Sequence, residues 1–199
     1  MFTGIITDVG RVTAVSGSAD KVVTLRTGYD LSSVDIGASI ACAGVCLTVV
    51  DKTGNEFSVD VSQETLSVTN LGDWAADTEV NLERSLKIGD ELGGHIVTGH
   101  VDCLGSIVRF EKVDDSIAMN IQVSEDFSHL VAQKGSVTIN GASLTVNAVI
   151  DNENGAEFSI NLIPHTQAVT SFRNNQLGDR VNVEFDILAR YVARLQTKS

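Results

Sequence analysis

An internal repeat constrains this chain more than any other feature of its sequence. Three stretches recur in the same order: GASIACAGVCLTV (37–49) as GSVTINGASLTV (135–146), EFSVDVSQET (56–65) as EFSINLIPHT (157–166), and VNLE (80–83) as VNVE (181–184). Cys46 thereby aligns with Ser143. A period of roughly 100 residues is too long for a solenoid, so the sequence indicates a duplicated domain.

The segment GGHIVTGHVD (93–102) joins the two copies. Its residues 98–102 align with residues 3–7, and His100 stands where the first copy has Ile5. We place the junction near Gly93. The predicted domains are therefore 1–93 and 94–186, followed by a C-terminal helix over 187–199.

Short strand-like segments dominate both copies. VTLR, ASIA, CLTVV, FSVDV and VNLE in the first half, and SIVRF, MNIQV, SVTIN, SLTVNAV, FSINL and VNVEF in the second, are β-branched and partly alternating. Many short strands bounded by Gly, Asp and Asn are typical of barrels or sandwiches. We predict an all-β fold of two tandem six-stranded Greek-key β-barrels with short helices, and a first strand that begins at the N-terminus.

Two short helices are expected in each half. DFSHLVAQ (126–133) has an Asp or Ser cap and stops before Gly135. Pro164 favours the first position of a second helix that runs through Val169, and its partner in the first half begins near Gln63.

The tail from Ile187 to Lys198 has no counterpart in the first half. Leu188, Tyr191, Val192 and Leu195 recur at helical spacing, with Arg190 and Arg194 on the other side. Its apolar stripe packs either on its own barrel or against copies of itself in an oligomer, and we favour the oligomer.

Composition narrows the classes of partner. The formal net charge of -12 and the pI of about 4.6 argue against nucleic acid or an anionic membrane as the main partner. No apolar run reaches the ~18 residues of a membrane span, and the N-terminus lacks the pattern of a secretory signal. The odd number of cysteines, 3, fits a reducing compartment. We expect a cytoplasmic protein.

Cys46 follows a glycine turn and opens a strand, which leaves two interpretations. A thiol at a strand end can point into a barrel mouth and act as a nucleophile. Cysteine is also a common small core residue, and we expect that simpler role for Cys42 and Cys103.

His95 and His100 lie five residues apart, which is not a zinc-binding pattern. We expect one of them to transfer protons near neutral pH, and we favour His100 because it replaces an apolar residue of the first copy. His129 and His165 are expected to be ordinary exposed histidines.

Taken together in this order and spacing, the motifs resemble the riboflavin synthase family of the trimeric, α-chain type over the whole chain. The matching stretches are MFTGII, GVCLTV, QETLSVTNLGD, VNLERSLK, GGHIVTGHVD, GASLTVN, LIPHT and VNVEFD. The resemblance implies a cofactor-independent, metal-free dismutation of two 6,7-dimethyl-8-ribityllumazine molecules to riboflavin and 5-amino-6-(ribitylamino)uracil. It also implies one lumazine in each barrel, a homotrimer built on the C-terminal helix, and reacting ligands that meet between subunits.

The family pattern also implies the site residues. Cys46, His100 and Asp186 fall on catalytic-region positions. The resemblance implies that the N-terminal pocket is lined by Cys46, Leu47, Thr48, Asp60, Val61, Ser62, Gln63, Glu64, Thr65, Gly99, His100 and Val101. It implies that the C-terminal pocket is lined by Gly4, Ile5, Ile6, Ser143, Leu144, Thr145, Ile163, Pro164, His165, Thr166, Gln167 and Ala168, with Lys134 from a neighbouring subunit.

Two departures from the pattern stand out, and one alternative function is open. Val45 replaces a second cysteine found in some relatives, and His165 replaces an acidic residue. The alternative is a non-catalytic lumazine- or flavin-binding antenna protein. Such proteins tend to lose the cysteine, whereas Cys46 and His100 are both present here.

Overall fold

The computed structural model describes residues 1–196 and consists mainly of β-strands. The first half contains β1 (Asp8–Ser16), β2 (Lys21–Arg26), β3 (Ser39–Cys42), β4 (Val45–Thr53), β5 (Glu56–Val61), α1 (Gln63–Val68) and β6 (Glu79–Arg84). The second half contains β7 (Cys103–Val113), β8 (Ser116–Val123), α2 (Glu125–Ser128), β9 (Ser136–Ile139), β10 (Ala142–Thr145), β11 (Ala148–Asn152), β12 (Gly155–Leu162), α3 (Pro164–Val169), β13 (Arg180–Phe185) and α4 (Ile187–Gln196).

The first half is a closed barrel with strand order β1-β2-β5-β4-β3-β6, as the repeat predicted. Its strands pair antiparallel, and β1 meets β6 through Asp8 opposite Leu82. The N-terminal prediction was wrong in one detail, since β1 starts at Asp8 rather than at the first residue. Residues 1–7 run alongside the linker instead, with a bridge between Phe2 and Val97.

The second half is a curled sheet with order β10-β9-β13-β7-β8-β12-β11. It has seven strands because the counterpart of β4 is interrupted at Val146 and Asn147. At the break, Lys134 N–H donates to the Val146 carbonyl and Asn147 N–H donates to the Ser159 carbonyl. The Val146 carbonyl and the Asn147 N–H therefore have hydrogen-bond partners although they lie outside a regular strand pairing. The second half repeats the β-strands of the first, with one strand divided in two.

Each half has its own apolar core, built by the alternation seen in the sequence. Phe57 in β5 and Phe158 in β12 occupy equivalent positions, and each is 0% exposed. A fully buried side chain of this size contributes roughly 1.5–3 kcal/mol by leaving water. Alternate residues of the same strands, such as Asp60, face solvent.

The helices match the predictions unevenly. α3 starts at Pro164 and ends at Val169, and α1 starts at Gln63 after the Ser62 side chain caps Thr65 N–H, as predicted. The helix predicted over 126–133 is wrong in length, because only Glu125–Ser128 is helical. Beyond it, Leu130 and Val131 turn inward to pack on the core.

The C-terminal helix forms as predicted through Gln196, and residues 197–199 of that prediction lie outside the described residues. Leu188, Tyr191 and Val192 are 67%, 66% and 54% exposed. The apolar stripe therefore does not pack on its own barrel. None of the helices in the described part of the chain is long and apolar enough to cross a membrane.

Two buried asparagines join the halves through reciprocal hydrogen bonds. Asn81 Nδ2 donates to the Asn140 carbonyl, and Asn182 Nδ2 donates to the Ala43 carbonyl, both at 2.9 Å. Their Oδ1 atoms accept from Ser171 N–H and Asn70 N–H across the same junction. These reciprocal bonds relate the halves by an approximate twofold axis. The domain boundaries near 93 and 186 stay predictions.

Candidate functional site

The opening segment of each half lies against a strand of the other half. Ser143 N–H donates to the Gly4 carbonyl, and Cys46 N–H donates to the Gly99 carbonyl, both at 2.8 Å. Ser143 belongs to β10 and Cys46 to the equivalent strand β4. The two residues that the repeat aligned therefore mark two equivalent positions.

A buried glutamate holds each opening segment in place. Glu83 Oε1 accepts from Thr3 N–H and Oγ1–H, both at 2.7 Å, and its Oε2 accepts from Gly4 N–H at 2.9 Å. Glu184 makes the same three bonds to Thr98 and Gly99 with the same three distances. Burial raises the pKa of Glu83, and the bonds from Thr3 and Gly4 oppose the shift.

A cavity of about 120 Å³ opens where Gly4 meets Ser143. Its walls are Gly4, Ile5, Ile6, Ala142, Ser143, His165, Thr166, Val169 and Thr170. Strand β10, the first segment of the chain and helix α3 thus supply one wall each. At the C-terminal end of α3, Thr170 Oγ1 donates to the Thr166 carbonyl at 2.5 Å. This hydrogen bond stabilises the helical wall of the cavity.

The repeat alignment predicts a corresponding set of residues around Cys46 in the first half. They are Val45, Cys46, Glu64, Thr65, Val68, Thr69, Gly99, His100 and Val101. Thr69 Oγ1 donates to the Thr65 carbonyl at 2.6 Å, which repeats the end of α3. The chief differences between the two positions are chemical: Cys46 replaces Ser143, His100 replaces Ile5 and Glu64 replaces His165.

The structure brings together one part of the predicted C-terminal pocket. Gly4, Ile5, Ile6, Ser143, His165 and Thr166 line the cavity. The remaining predicted members lie around it: Leu144 packs in the core, Thr145, Ile163, Pro164 and Ala168 are exposed, and Gln167 donates to the carbonyls of Asp115 and Leu162.

The predicted N-terminal set divides in the same way. Cys46 contacts Gly99, and His100 is exposed beside it. Leu47 and Val61 are core residues, Thr48 and Asp60 are exposed, and Ser62, Gln63, Glu64 and Thr65 form the start of α1. Val101 packs against the core.

Lys134 and Asp186 are not among the residues that line the cavity at Ser143. Lys134 is exposed in a left-handed turn with φ +66°. Asp186 caps α4, since its Oδ1 accepts from Leu188 N–H at 2.9 Å.

The sequence offered His95 and His100 as candidates for proton transfer and favoured His100, yet His95 is the one that contacts Ser143. It is 9% exposed, its Nδ1 lies 2.7 Å from Ser143 Oγ, and its Nε2 lies 3.2 Å from Thr138 Oγ1. Burial lowers the pKa of His95, while the charges of Asp186 and Glu184 oppose the shift. His95 therefore forms a hydrogen bond with Ser143 at the second-half position, and the repeat alignment gave no signal for this contact.

The three cysteines are free, and only Cys46 reaches the surface to an intermediate degree. Burial raises the pKa of Cys42 and raises that of Cys103 to about 12. Both behave as the predicted core residues, so Cys46 is the thiol available for chemistry.

A larger polar cleft of about 530 Å³ lies between the halves elsewhere. Arg11, Asp73, Glu79 and Arg180 are among the residues that line it, and none of the predicted site residues does. The sequence motifs and the repeated hydrogen bonds instead converge on the positions of Cys46 and Ser143.

Comparison with known proteins matches both halves to one family. The lumazine binding domain matches residues 3–85 and again residues 98–186. The chain is 46% identical to the riboflavin synthase of Brucella abortus, over 98% of each chain. It is 42% identical to that of Photobacterium phosphoreum, over 98% of this chain and 88% of the relative. It is 36% identical to that of Bacillus subtilis, over 100% and 91%.

Solved structures share the fold. The crystal structure of LumP complexed with riboflavin has a TM-score of 0.84 and 24% identity, over 93% of this chain and 99% of that chain. LumP complexed with 6,7-dimethyl-8-(1'-D-ribityl) lumazine has a TM-score of 0.82 and 22% identity. At this identity the likeness shows the architecture alone.

Proposed function

The chain belongs to the riboflavin synthase family, with a lumazine binding domain in each half, and we infer its function from that membership. It is an enzyme that dismutates 6,7-dimethyl-8-ribityllumazine. One molecule gives a four-carbon unit to a second, which yields riboflavin and 5-amino-6-(ribitylamino)uracil. The observation that carries this conclusion is full-length similarity to riboflavin synthases at 36% to 46% identity.

The duplicated geometry suits this reaction. A dismutation needs two copies of one substrate, and the chain offers two equivalent positions with matching backbone hydrogen bonds. Holding two reactants in a fixed orientation supplies much of the rate enhancement of a bimolecular step. The exchange of Ser143 for Cys46 and of Ile5 for His100 gives the two positions different chemistry, as distinct donor and acceptor roles require.

We propose roles for the polar residues of the first-half position. Cys46, half-buried at the start of β4, adds to or orients the activated ring of one lumazine. His100, exposed beside Gly99, assists removal of a proton from the acidic C7 methyl group. In the second-half pocket, Ser143 and Thr166 hydrogen-bond a ligand and His95 orients Ser143, a role supported by their places in the cavity wall and by the His95 contact.

We propose a homotrimer in which neighbouring subunits complete each site. The cavity at Ser143, about 120 Å³, is smaller than the ~300 Å³ of typical ligand pockets, so a ligand extends beyond it. The exposed stripe of Leu188, Tyr191 and Val192 on α4 supports association through this helix. Lys134 and Asp186, which do not line the cavity of their own chain, are proposed to act at the subunit boundary. The free thiols support a cytoplasmic location.

The test is the stoichiometry of turnover. Purified protein is incubated with 6,7-dimethyl-8-ribityllumazine, and riboflavin is followed by its long-wavelength absorbance. The proposal predicts one riboflavin for every two lumazines consumed. Tight binding without riboflavin would indicate a carrier protein such as the fold neighbours that hold lumazine, and absence of binding would contradict both functions.

A further inference from the structure

Arg190 connects helix α4 to the segment that carries His100. Its guanidinium lies 3.3 Å from Asp102 Oδ1, 3.5 Å from Glu184 Oε1 and 3.4 Å from Thr98 Oγ1. Glu184 in turn holds Thr98 and Gly99 through the three short hydrogen bonds described above. Arg190 thus contacts both ends of the segment from Thr98 to Asp102.

The far end of this stretch is held through Asp102. Its Oδ2 accepts from Phe185 N–H at 2.8 Å, and its own N–H donates to the Val183 carbonyl at 2.8 Å. Burial raises the pKa of Asp102, and Phe185 N–H, Arg190 and His100 oppose the shift. Arg190 therefore brings one positive charge between two carboxylates whose side chains are 2% and 11% exposed.

The repeat has no equivalent of this arrangement. Glu83 holds Thr3 and Gly4 with the same geometry, but α4 has no counterpart in the first half. Thr7 stands where the second half has Asp102, and its hydroxyl pairs with Tyr29 at 2.5 Å. The arginine is added only to the segment that presents His100.

Stability alone does not account for Arg190. A buried ion pair contributes little net stability compared with an apolar pair, because removing both charges from water offsets their attraction, although removing one partner alone is destabilising. The Nε atom of Arg190 is buried and makes no hydrogen bond to the described part of the protein. A rigid link between a helix and a short backbone segment is the better physical reason for it.

We propose that Arg190 is a positioning residue, which holds the Thr98–Asp102 segment so that Gly99 and His100 stay in register with Cys46. This inference rests on the proposed function for its kinetic consequence, but its structural consequence can be measured independently. It also makes the geometry at Cys46 depend on the docking of α4, which carries the proposed subunit contact on its exposed face.

The first test is amide hydrogen exchange of Arg190→Gln in the full chain. The proposal predicts that Thr98 and Gly99 amides exchange at least about tenfold faster than in the parent. Thr3 and Gly4, held by Glu83 in the same way, should change less than about twofold and serve as an internal control. Unchanged exchange at Thr98 and Gly99, or equal acceleration at Thr3 and Gly4, would overturn the proposal. This readout decides the role of Arg190 even if the parent forms no riboflavin.

The second test separates turnover from binding. Arg190→Gln should lower kcat about tenfold or more while the lumazine Kd and the assembly state change little, and Arg190→Lys should restore part of kcat because it retains the charge. If Arg190→Gln does not fold, Arg190→Lys is judged by the same exchange and kinetic criteria. Arg109→Gln, which breaks an exposed pair with Glu111, is the matched control and should leave kcat unchanged.

A double-mutant cycle with Asp102→Asn completes the test. If Arg190 acts through this network, the double variant should lose about as much kcat as the more affected single variant. Additive losses would show that Arg190 acts on turnover by another route and would contradict the proposal.

Discussion

Cys46 and Gly99 lie in direct contact across the junction between the two halves. Cys46 N–H donates to the Gly99 carbonyl at 2.8 Å, and a methyl group built on Gly99 would come within 2.6 Å of Cys46 Cβ. The His100 backbone follows directly. This one contact therefore joins the backbone of the candidate thiol to the residue just before the candidate base, from opposite halves of the chain.

Gly99→Ala tests the closeness of this contact. Gly99 has φ +78°, so alanine adds left-handed strain to the clash with Cys46. We expect a loss of roughly 2–4 kcal/mol of unfolding free energy, measured by urea denaturation. Gly37→Ala is the control, because Gly37 has φ +89° with nothing within 4 Å of the added carbon. It should lose only about 1–2 kcal/mol, and equal losses in both variants would contradict the close contact.

His95 should make stability depend on pH in the mildly acidic range. Burial lowers the pKa of His95 in the folded chain below the ordinary value of 6.5. Above pH 6.5, His95 therefore causes no loss of unfolding free energy. Below that, the unfolded chain binds a proton that the folded chain does not, and stability falls by up to about 1.4 kcal/mol per pH unit until the pH passes the folded pKa.

The measurement is unfolding free energy across pH 5 to 8 for the parent and for His95→Asn. The variant should show a shallower decline below about pH 6.5, whereas His129→Gln, at an exposed position, should follow the parent. Parallel curves for the parent and His95→Asn would contradict the assignment.

The α4 stripe predicts assembly. Leu188→Asp places a charge on a side chain that is 67% exposed in a single chain, so the fold of that chain should be unaffected. We expect the mass by light scattering to fall from three chains to one and turnover to fall with it, because the proposed sites are completed between subunits. Gln196→Glu, exposed on the same helix, is the control. Retention of the trimer by Leu188→Asp would contradict an interface on this face.

The sequence predicted the parts of the fold that follow from periodicity and repetition. FSVDV and FSINL were predicted as strands and are β5 and β12, and Pro164 marked the first residue of α3, because both signals are local. The break after Val146 was not predicted. LTVNAV reads as one strand, and no local signal in these residues marks the interruption. The Lys134 N–H bond to the Val146 carbonyl does not explain it, because Gly37 N–H makes the same bond to the Val49 carbonyl where β4 is continuous.

The sequence predicted only part of the candidate site, namely the part that the repeat reveals. Aligning the copies identified Cys46 and Ser143 as equivalent and His100 as the asymmetric residue. The hydrogen bonds of His95 and the links of Arg190 depend on side chains that meet from separate elements, with no repeat or spacing to reveal them. Local patterns identify which residues differ between the halves, and tertiary packing decides what each of them contacts.

Cys46→Ser provides the most direct test of the claim that the reaction takes place where Cys46 meets Gly99 and His100. Turnover of 6,7-dimethyl-8-ribityllumazine and its Kd are measured together for Cys46→Ser and for Cys103→Ala, a substitution in the core. We expect Cys46→Ser to lower kcat about 100-fold or more with Kd changed less than about threefold, and Cys103→Ala to keep the parent kcat. A Cys46→Ser enzyme that turns over within about twofold of the parent would contradict this claim.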